Sequence, residues 1–277
     1  YIIISIFVLL CIPCLCLLYS YYEARNVILR EMMFADKDLP DSFVGKKIIF
    51  VSDIHVNDYF TGDDVTALVK EINVREPDII MLGGDYTRKE EKYSQPFFKE
   101  MSKLESTFGV YTVLGNHDHW EDAELIQSGL VDCDFNICDN RSYWIKNGED
   151  SIKIGGVGDY WTDKQLLENT VSDIKETDFC LLISHNPDYL EELDSELVNL
   201  VLSGHTRAGQ ITLFGFWAPI MPSTGHFEYP QTGLKYRYGW KEKDNTKLYV
   251  TSGVGVGSFP LRFFAPPEIV EITLTKQ

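Results

Sequence analysis

The stretch KKIIFVSDIH at residues 46–55 decides the fold of this chain. Its apolar core, IIFV, is short, continuous and rich in β-branched and aromatic side chains, which is typical of a strand buried on both faces. The strand runs directly into Asp53 and His55, which lie two positions apart and would point to the same side of an extended chain. A buried strand that ends in a carboxylate and an imidazole predicts a layered domain with a polar site at its strand ends.

The alternation of short apolar runs and helical patterns continues along the chain. We predict further strands at residues 78–82, 110–114, 179–184, 197–203, 248–252 and 268–274, and helices at residues 65–72, 97–104 and 187–193. The pair Asn147-Gly148 is a strong signal for a β-hairpin. Strands that alternate with helices indicate an α/β domain, and the later hairpins favour a mixed sheet or two sheets packed together.

Polar side chains able to bind a metal follow five of these strands. They are Asp53, His55, Asp85, Asn116, His117, Asp118, His185 and His205. A single histidine after a strand is usually a boundary residue whose polar atoms are satisfied by its neighbours. Five strand ends that carry Asp, Asn and His are much harder to explain in that way. Because sites in open α/β sheets form at the carboxyl ends of strands, we expect these side chains to converge.

This donor set points to a pair of transition-metal ions. Carboxylates, an amide oxygen and imidazoles give mixed oxygen and nitrogen ligation, which suits Mn, Fe or Zn better than Ca or Mg. Roughly seven donor atoms exceed what one such ion takes, so the natural arrangement is two divalent ions about 3.5–4 Å apart that share a carboxylate. Such a pair lowers the pKa of water to about 7, and the hydroxide formed is a nucleophile at neutral pH.

The motifs D-x-H, G-D, G-N-H-D, S-H and G-H-T-x-x-G-Q, in order from Asp53 to Gln210, resemble those of the calcineurin-like metallophosphoesterase superfamily. The segments MLGGDY, KYRYGW and PLRFFAPPEIV are similar to its membrane-associated bacterial branch, which includes UDP-2,3-diacylglucosamine pyrophosphohydrolase-type enzymes of lipid A synthesis. The resemblance implies two mixed β-sheets packed as a sandwich and flanked by helices. It also implies hydrolysis of a phosphoric ester or pyrophosphate bond.

The resemblance assigns the metal ligands to two positions. Asp53 and His55 would hold the first metal, and Asp85 would bridge both ions. The residues Asn116, His185 and His205 would complete the second position.

The resemblance also implies catalytic roles for two residues of the G-N-H-D motif. His117 would contact the phosphate and donate a proton to the leaving oxygen, with Asn116 beside it at the substrate. Asp118 would fix the orientation of the His117 imidazole and favour its protonated form.

Arg207 stands where the family usually has a second histidine that ligates the first metal. A guanidinium group has no lone pair to offer and stays charged in proteins. Three interpretations remain open. Arg207 clamps the substrate phosphate, or it weakens or replaces the first metal, or it points away from the site. The second interpretation would give a single-metal enzyme or a non-catalytic module that binds phosphorylated ligands.

Residues 1–22 contain no charged side chain, and Glu23 is the first one. As a helix this run would span roughly 33 Å, enough to cross a bilayer, so we expect a single-pass membrane anchor; a cleaved signal peptide is the alternative. A connector would follow at residues 23–45 and the metallophosphoesterase domain at residues 46–277. The side of the membrane and the oligomeric state stay open.

Charge and aromatic content narrow the class of substrate. With 42 acidic and 25 basic residues the net charge is −17, which disfavours nucleic acid as a partner. An aromatic cluster lies at Phe214, Phe216, Trp217, Phe227, Tyr229, Tyr236, Tyr238 and Trp240. It is either core and loop packing or an apolar lip for a membrane or an acyl chain. We therefore expect a phosphorylated small molecule or a lipid-linked phosphate, such as a nucleotide-linked glycolipid.

Overall fold

The computed structural model describes residues 2–194, 196–219, 235–257 and 259–277, with side chains described from residue 11 onward. It contains two six-stranded mixed sheets with helices on their outer faces. The predicted α/β architecture of two sheets flanked by helices is therefore confirmed. Phe227 and Tyr229 of the predicted aromatic cluster lie outside the described residues.

The two sheets differ in strand order, but the central strands of each sheet are parallel to one another. The first sheet has the order β1-β12-β2-β3-β4-β5, with strands β1 (Ile28–Asp36), β12 (Glu268–Lys276), β2 (Lys47–Val51), β3 (Ile79–Leu82), β4 (Val110–Thr112) and β5 (Asn136–Ile137). The second has the order β10-β11-β9-β8-β7-β6, with β10 (Gly239–Lys243), β11 (Thr246–Val250), β9 (Leu200–Ser203), β8 (Cys180–Ile183), β7 (Asp150–Gly156) and β6 (Ser142–Asn147). The helices are α1 (Ile2–Glu23), α2 (Gly62–Asn73), α3 (Glu91–Met101), α4 (Asn116–Asp132) and α5 (Glu168–Val171).

Strand β2 explains why the two sheets stack. Ile48 and Phe50 join the apolar layer between the sheets, whereas Ile49 and Val51 join the layer that contains Val65 of helix α2. All five side chains are fully buried. Burying each such side chain contributes about 1.5–3 kcal/mol, so the uninterrupted IIFV run supplies both layers at once.

The predicted connector at residues 23–45 is wrong as a description of this segment. It contains strand β1, which pairs in parallel with β12 over Ile28–Asp36. Only Phe34 of this strand is buried, so its apolar residues do not form the continuous run by which the central strands are recognised. The strand forms because β12 offers it a complete row of backbone partners.

Two predicted helices differ in position or type. The helix predicted at residues 97–104 is α3, which begins at Glu91 and ends at Met101. The segment predicted as a helix at residues 187–193 is a single 3₁₀ turn, Pro187–Glu191, capped by the side chain of Asn186. The Asn147-Gly148 hairpin is confirmed by the antiparallel pair β6 and β7.

The predicted membrane anchor at residues 1–22 is not supported. In the part of the chain that the structure describes, no helix combines the length and the apolar character that crossing a bilayer requires. The last turns of α1 instead pack against the domain. The Tyr19 ring lies 5.5 Å from that of Phe263, and the Glu23 carboxylate accepts a hydrogen bond from the Ala265 backbone N–H.

Candidate metal centre

The carboxyl ends of five parallel strands meet at one edge of the sandwich. Asp53 and Asp85 follow β2 and β3 of the first sheet, and His185 and His205 follow β8 and β9 of the second. The sheets are joined here by the backbone N–H of His205, which donates to Asp53 Oδ2 at 2.9 Å. The structure thus brings these strand ends together at one edge, as the sequence predicted.

The backbone at this edge is strained. Asp53, His55, Asp85 and His205 have φ angles of 54°, 48°, 59° and 67°. L-residues adopt this left-handed region at a cost of about 1–3 kcal/mol each, and such residues cluster at functional sites.

Four donor groups surround the second metal position. Asp85 Oδ2 lies 3.4 Å from His185 Nε2. Asn116 Oδ1 lies 3.2 Å from His185 Nε2 and 2.9 Å from His205 Nδ1. His185 Nδ1 lies 2.6 Å from the carbonyl oxygen of Gly83, to which it can donate, so the Nε2 lone pair is left free for a metal. All four side chains are buried.

The first position shares Asp85 with the second. Asp85 Oδ2 lies 3.3 Å from His55 Nε2, so this one oxygen faces imidazoles on both sides. Asp53 Oδ1 lies 3.7 Å from the same His55 nitrogen. The predicted bridging place of Asp85 thus agrees with the geometry.

Unpaired buried oxygens show that the site fits a cation. Asp53 Oδ1 and Asp85 Oδ2 are buried and, within the described residues, make no hydrogen bond. Burial favours the neutral form of both carboxyls, but the imidazoles of His55 and His185 outweigh it and hold the pKa of each below its usual range. Buried anionic oxygens without a donor are costly, and a divalent ion is the group that satisfies them.

Glycines allow the loops to approach the ligands closely. A methyl group on Gly115 would lie 2.3 Å from Asp85 Oδ1, and one on Gly204 would lie 2.3 Å from Asp53 Oδ2. Any larger residue at either position would push a carboxylate out of the centre.

His117 lies beside the first position and lines the cavity. Its ring centroid is 4.8 Å from that of His55, and its backbone N–H donates to Asp85 Oδ1 at 2.9 Å. Burial lowers the pKa of the His117 imidazole to about 4, against an opposing effect of Asp85. The imidazole is therefore neutral at pH 7 in the free protein and acts first as a hydrogen-bonding group.

The predicted role of Asp118 as the residue that orients the His117 ring is wrong. Its carboxylate accepts backbone N–H groups of Asp85 at 2.7 Å, Gly115 at 2.8 Å and Tyr86 at 2.9 Å. Asp118 therefore ties the loop after β3 to the start of α4. Burial raises its pKa to about 7, and the charge of Asp85 adds to the effect.

Two tryptophans outside the predicted site residues cover the centre. The Trp161 ring lies 4.4 Å from the His205 ring, and the Trp120 ring lies 4.9 Å from that of His117. The two indoles stack on each other at 6.2 Å. Trp161 follows strand β7 in the segment G-D-Y-W, so its place after a strand was a signal that could have found it.

A cavity of about 290 Å³ opens on the first position. Its walls include four predicted site residues, His55, Asp85, His117 and Arg207. They also include four residues that were not predicted, Asn57, Thr87, Arg88 and Glu121. Asn57, Thr87 and Arg88 lie in loops without an apolar pattern around them, and Glu121 lies in the first turns of α4, so no periodicity marked these four residues as part of a site.

Arg207 points into this centre. Its Nη1 atom lies 2.6 Å from His55 Nε2. Its Nε atom is buried and makes no hydrogen bond within the described residues. The interpretation that Arg207 points away from the site is therefore wrong.

Comparison with known proteins identifies the class of protein that this site defines. The family model described as calcineurin-like phosphoesterase matches residues 46–207, more than half of the chain. The chain belongs to this family of metallophosphoesterases, hydrolases that act on phosphoester bonds.

Relatives in bacteria agree with that class. The chain is 32% identical over 258 residues to the uncharacterised metallophosphoesterase YkuE of Bacillus subtilis, covering 92% of this chain and 87% of the relative. It is 33% identical over 236 residues to an uncharacterised metallophosphoesterase of Helicobacter pylori, covering 82% of this chain but 59% of that longer relative. It is 26% identical over 232 residues to the phosphodiesterase YaeI of Escherichia coli, covering 82% of each chain.

Proposed function

We propose that the chain hydrolyses a phosphate ester or a pyrophosphate whose phosphate group enters the cavity beside His117 and Arg207. The observation that carries this proposal is the pair of buried, unpaired carboxylate oxygens, Asp53 Oδ1 and Asp85 Oδ2, behind that cavity. Asp53 and Asp85 would hold a divalent metal here, and such a metal would lower the pKa of water and offset charge on the phosphate oxygens. Mn, Fe and Zn remain the candidates, because oxygen and nitrogen donors are mixed.

The side chains of the cavity bind and orient the phosphate. Arg207 and Arg88 bring two guanidinium groups to the cavity wall, and planar N–H donors of this kind suit phosphate oxygens. His117 donates a hydrogen bond to the oxygen of the leaving group. A bound phosphate anion favours protonation of this imidazole, which allows it to deliver a proton as the bond to phosphorus breaks.

The substrate class is a phosphate linked to an apolar group. A second cleft of about 400 Å³ is lined by Val27, Leu29, Phe60 and Ile269 and shares Val256 with the phosphate cavity. An acyl or other apolar chain attached to the phosphate would fit this cleft. A nucleotide-linked glycolipid of the kind handled by lipid A-type enzymes stays a prediction within this class.

Exposed aromatic side chains support an apolar substrate as well. Phe214, Phe216 and Trp217 have 64%, 88% and 51% of their surface exposed. Phe214 packs against Phe264, which in turn packs against Tyr19 of α1, so these three rings form one apolar surface. By contrast Tyr236 is buried, which is core packing.

Hydrolysis assays test the proposal. The purified chain is incubated with p-nitrophenyl phosphate, its bis-ester and a diphosphate, each with Mn²⁺, Fe²⁺ or Zn²⁺ and each with excess EDTA. Phosphate release that needs the metal and disappears in Asp85→Asn supports it. Binding of phosphate without turnover under every metal would instead identify a non-catalytic phosphate-binding module.

A matched pair of substrates tests the apolar part separately. One carries a short and the other a long alkyl chain on the same phosphate, and both are presented as monomers below their micelle concentration. We expect the substrate with the long chain to have the lower KM. In Leu29→Asp, which places a charge in the apolar cleft, we expect this advantage of the long chain to be lost. Equal KM values would contradict the apolar substrate class while leaving phosphoester hydrolysis in place.

A further inference from the structure

The lone pair of His55 Nε2 is needed by two different cations. A metal bound to this nitrogen would lie at about 2.0–2.1 Å from it. Arg207 Nη1 already lies 2.6 Å from the same atom, within hydrogen-bonding distance. Because both groups approach along one lone pair and both are positive, they exclude each other at this place.

The loop that carries Arg207 is held from both sides. Arg237 donates to the Ala208 carbonyl at 2.7 Å, and Thr206 donates to the Arg237 carbonyl at 2.7 Å. Gln210 donates to the carbonyls of Phe259 and Leu261, each at 3.0 Å. Arg207 itself has a φ of 47°, a left-handed conformation that this anchoring maintains. The backbone at Arg207 is thus held in place, and the contact with His55 Nε2 gives the direction of the guanidinium.

Charge compensation distinguishes the two halves of the centre. The carboxylates of Asp53 and Asp85 supply two negative charges, and both side chains are buried. One divalent ion together with the Arg207 guanidinium leaves the centre only slightly positive. A second divalent ion would add two further charges beside a guanidinium, in a buried place where repulsion is weakly screened.

We propose that Arg207 serves as the cation of the first position, so that the chain binds one divalent metal, held by Asp85, Asn116, His185 and His205. The inference rests on the proposed function only for the identity of the second position as a metal site. Arg207 then faces the substrate with the N–H groups that His55 does not use.

Metal counting tests this inference without relying on turnover. The chain and its Arg207→His variant are stripped with chelator, reloaded with Mn²⁺ and desalted, and the metal per chain is measured by elemental analysis. We expect one Mn per chain in the unaltered protein and two in the variant, because histidine restores a ligand and tolerates a positive φ. Arg88→Ala, which removes the other arginine of the cavity, is the matched control and should still bind one Mn per chain.

Electron paramagnetic resonance of the same samples adds an independent readout. A single Mn²⁺ gives a six-line mononuclear spectrum, whereas the Arg207→His variant should show an exchange-coupled pair. Arg207→Ala, which frees His55 without adding a ligand, should take up a second, weaker Mn²⁺ that titrates in at higher concentration.

The outcomes separate this inference from the proposed function. Two Mn per unaltered chain with a coupled spectrum would overturn it, as would one Mn in both the unaltered protein and Arg207→His. Metal-dependent hydrolysis could still occur in either case. Absence of bound metal from all variants would overturn the inference and the metal site on which it rests.

Discussion

The two positions of the centre are built from the same kinds of side chain but differ in what completes them. At the second position, buried oxygens and ring nitrogens of Asp85, Asn116, His185 and His205 face one another, with distances of 2.9–3.4 Å between neighbours. At the first, the His55 imidazole meets the Arg207 guanidinium, and Asp53 Oδ1 lies 3.7 Å from the same His55 nitrogen. The second position is a set of acceptor atoms that a divalent ion would bridge, whereas at the first a guanidinium of the chain already occupies the lone pair of the imidazole. The same strand-end geometry can therefore hold a metal or replace one.

The largest effect is expected where the two positions share a ligand. Asp85→Asn removes the charge that faces both His55 and His185, so affinity for metal and stabilisation of the transition state fall together. We expect kcat/KM for a p-nitrophenyl phosphate ester to fall by about 100- to 1,000-fold. Glu149→Gln, at the exposed tip of the hairpin, is the control and should retain full activity. Unchanged activity in Asp85→Asn would show that neither position contributes to hydrolysis, and the comparison between them would then have no functional meaning.

Removing one histidine from each position compares the positions directly. His205→Ala takes a donor from the second position and should weaken Mn²⁺ binding at least about tenfold. His55→Ala takes the partner of Arg207 and should leave the metal content unchanged while lowering activity. Isothermal titration with Mn²⁺ measures both variants. Equal losses of metal from the two variants would show that the positions are alike.

The fold could be predicted further than the site. Local patterns specify buried elements, such as the apolar run IIFV at residues 48–51 and the helical spacing of Val65, Leu68 and Ile72. The structure has strand β2 and helix α2 at those places. Strand β1 could not be recognised because its stability comes from pairing with β12, some 240 residues away. Pairing across such a distance leaves no periodic signal in β1 itself.

The site residues divide along a similar line. The metal ligands stand directly after strands, so order and spacing were enough to select them. Asp118 has the right residue type at the right place, yet its oxygens accept backbone N–H groups from the loop after β3. Which atoms a buried carboxylate meets depends on how two loops cross, and spacing along the chain does not contain that information.

A pH experiment examines what holds the shared ligand in place. The pKa of Asp118 is raised from its usual value to about 7 in the folded, metal-free protein. A raised carboxyl pKa means that the stabilisation is fully present below the unfolded-state value, near 3.8, and is lost as pH rises towards about 7. Asp118→Asn does not titrate. The melting temperature of the metal-free wild type, relative to this variant, should therefore fall between pH 4 and pH 7. A difference that stays constant or rises over this range would contradict the assignment.

The smallest effect is expected at the aromatic cover of the second position. Trp161 meets the His205 ring nearly at a right angle, and its indole nitrogen makes no hydrogen bond within the described residues. Trp161→Phe keeps an aromatic ring there and gives up an unsatisfied donor, so the stability loss should stay within about 1 kcal/mol. The number of Mn²⁺ bound should not change, since the ligands are untouched. Trp161→Ala instead exposes His205 to water and should speed the release of Mn²⁺ to a chelator, measured by stopped-flow. If Trp161→Phe releases metal as fast as Trp161→Ala, the indole itself holds His205, and the second position depends on its cover as much as the first depends on Arg207.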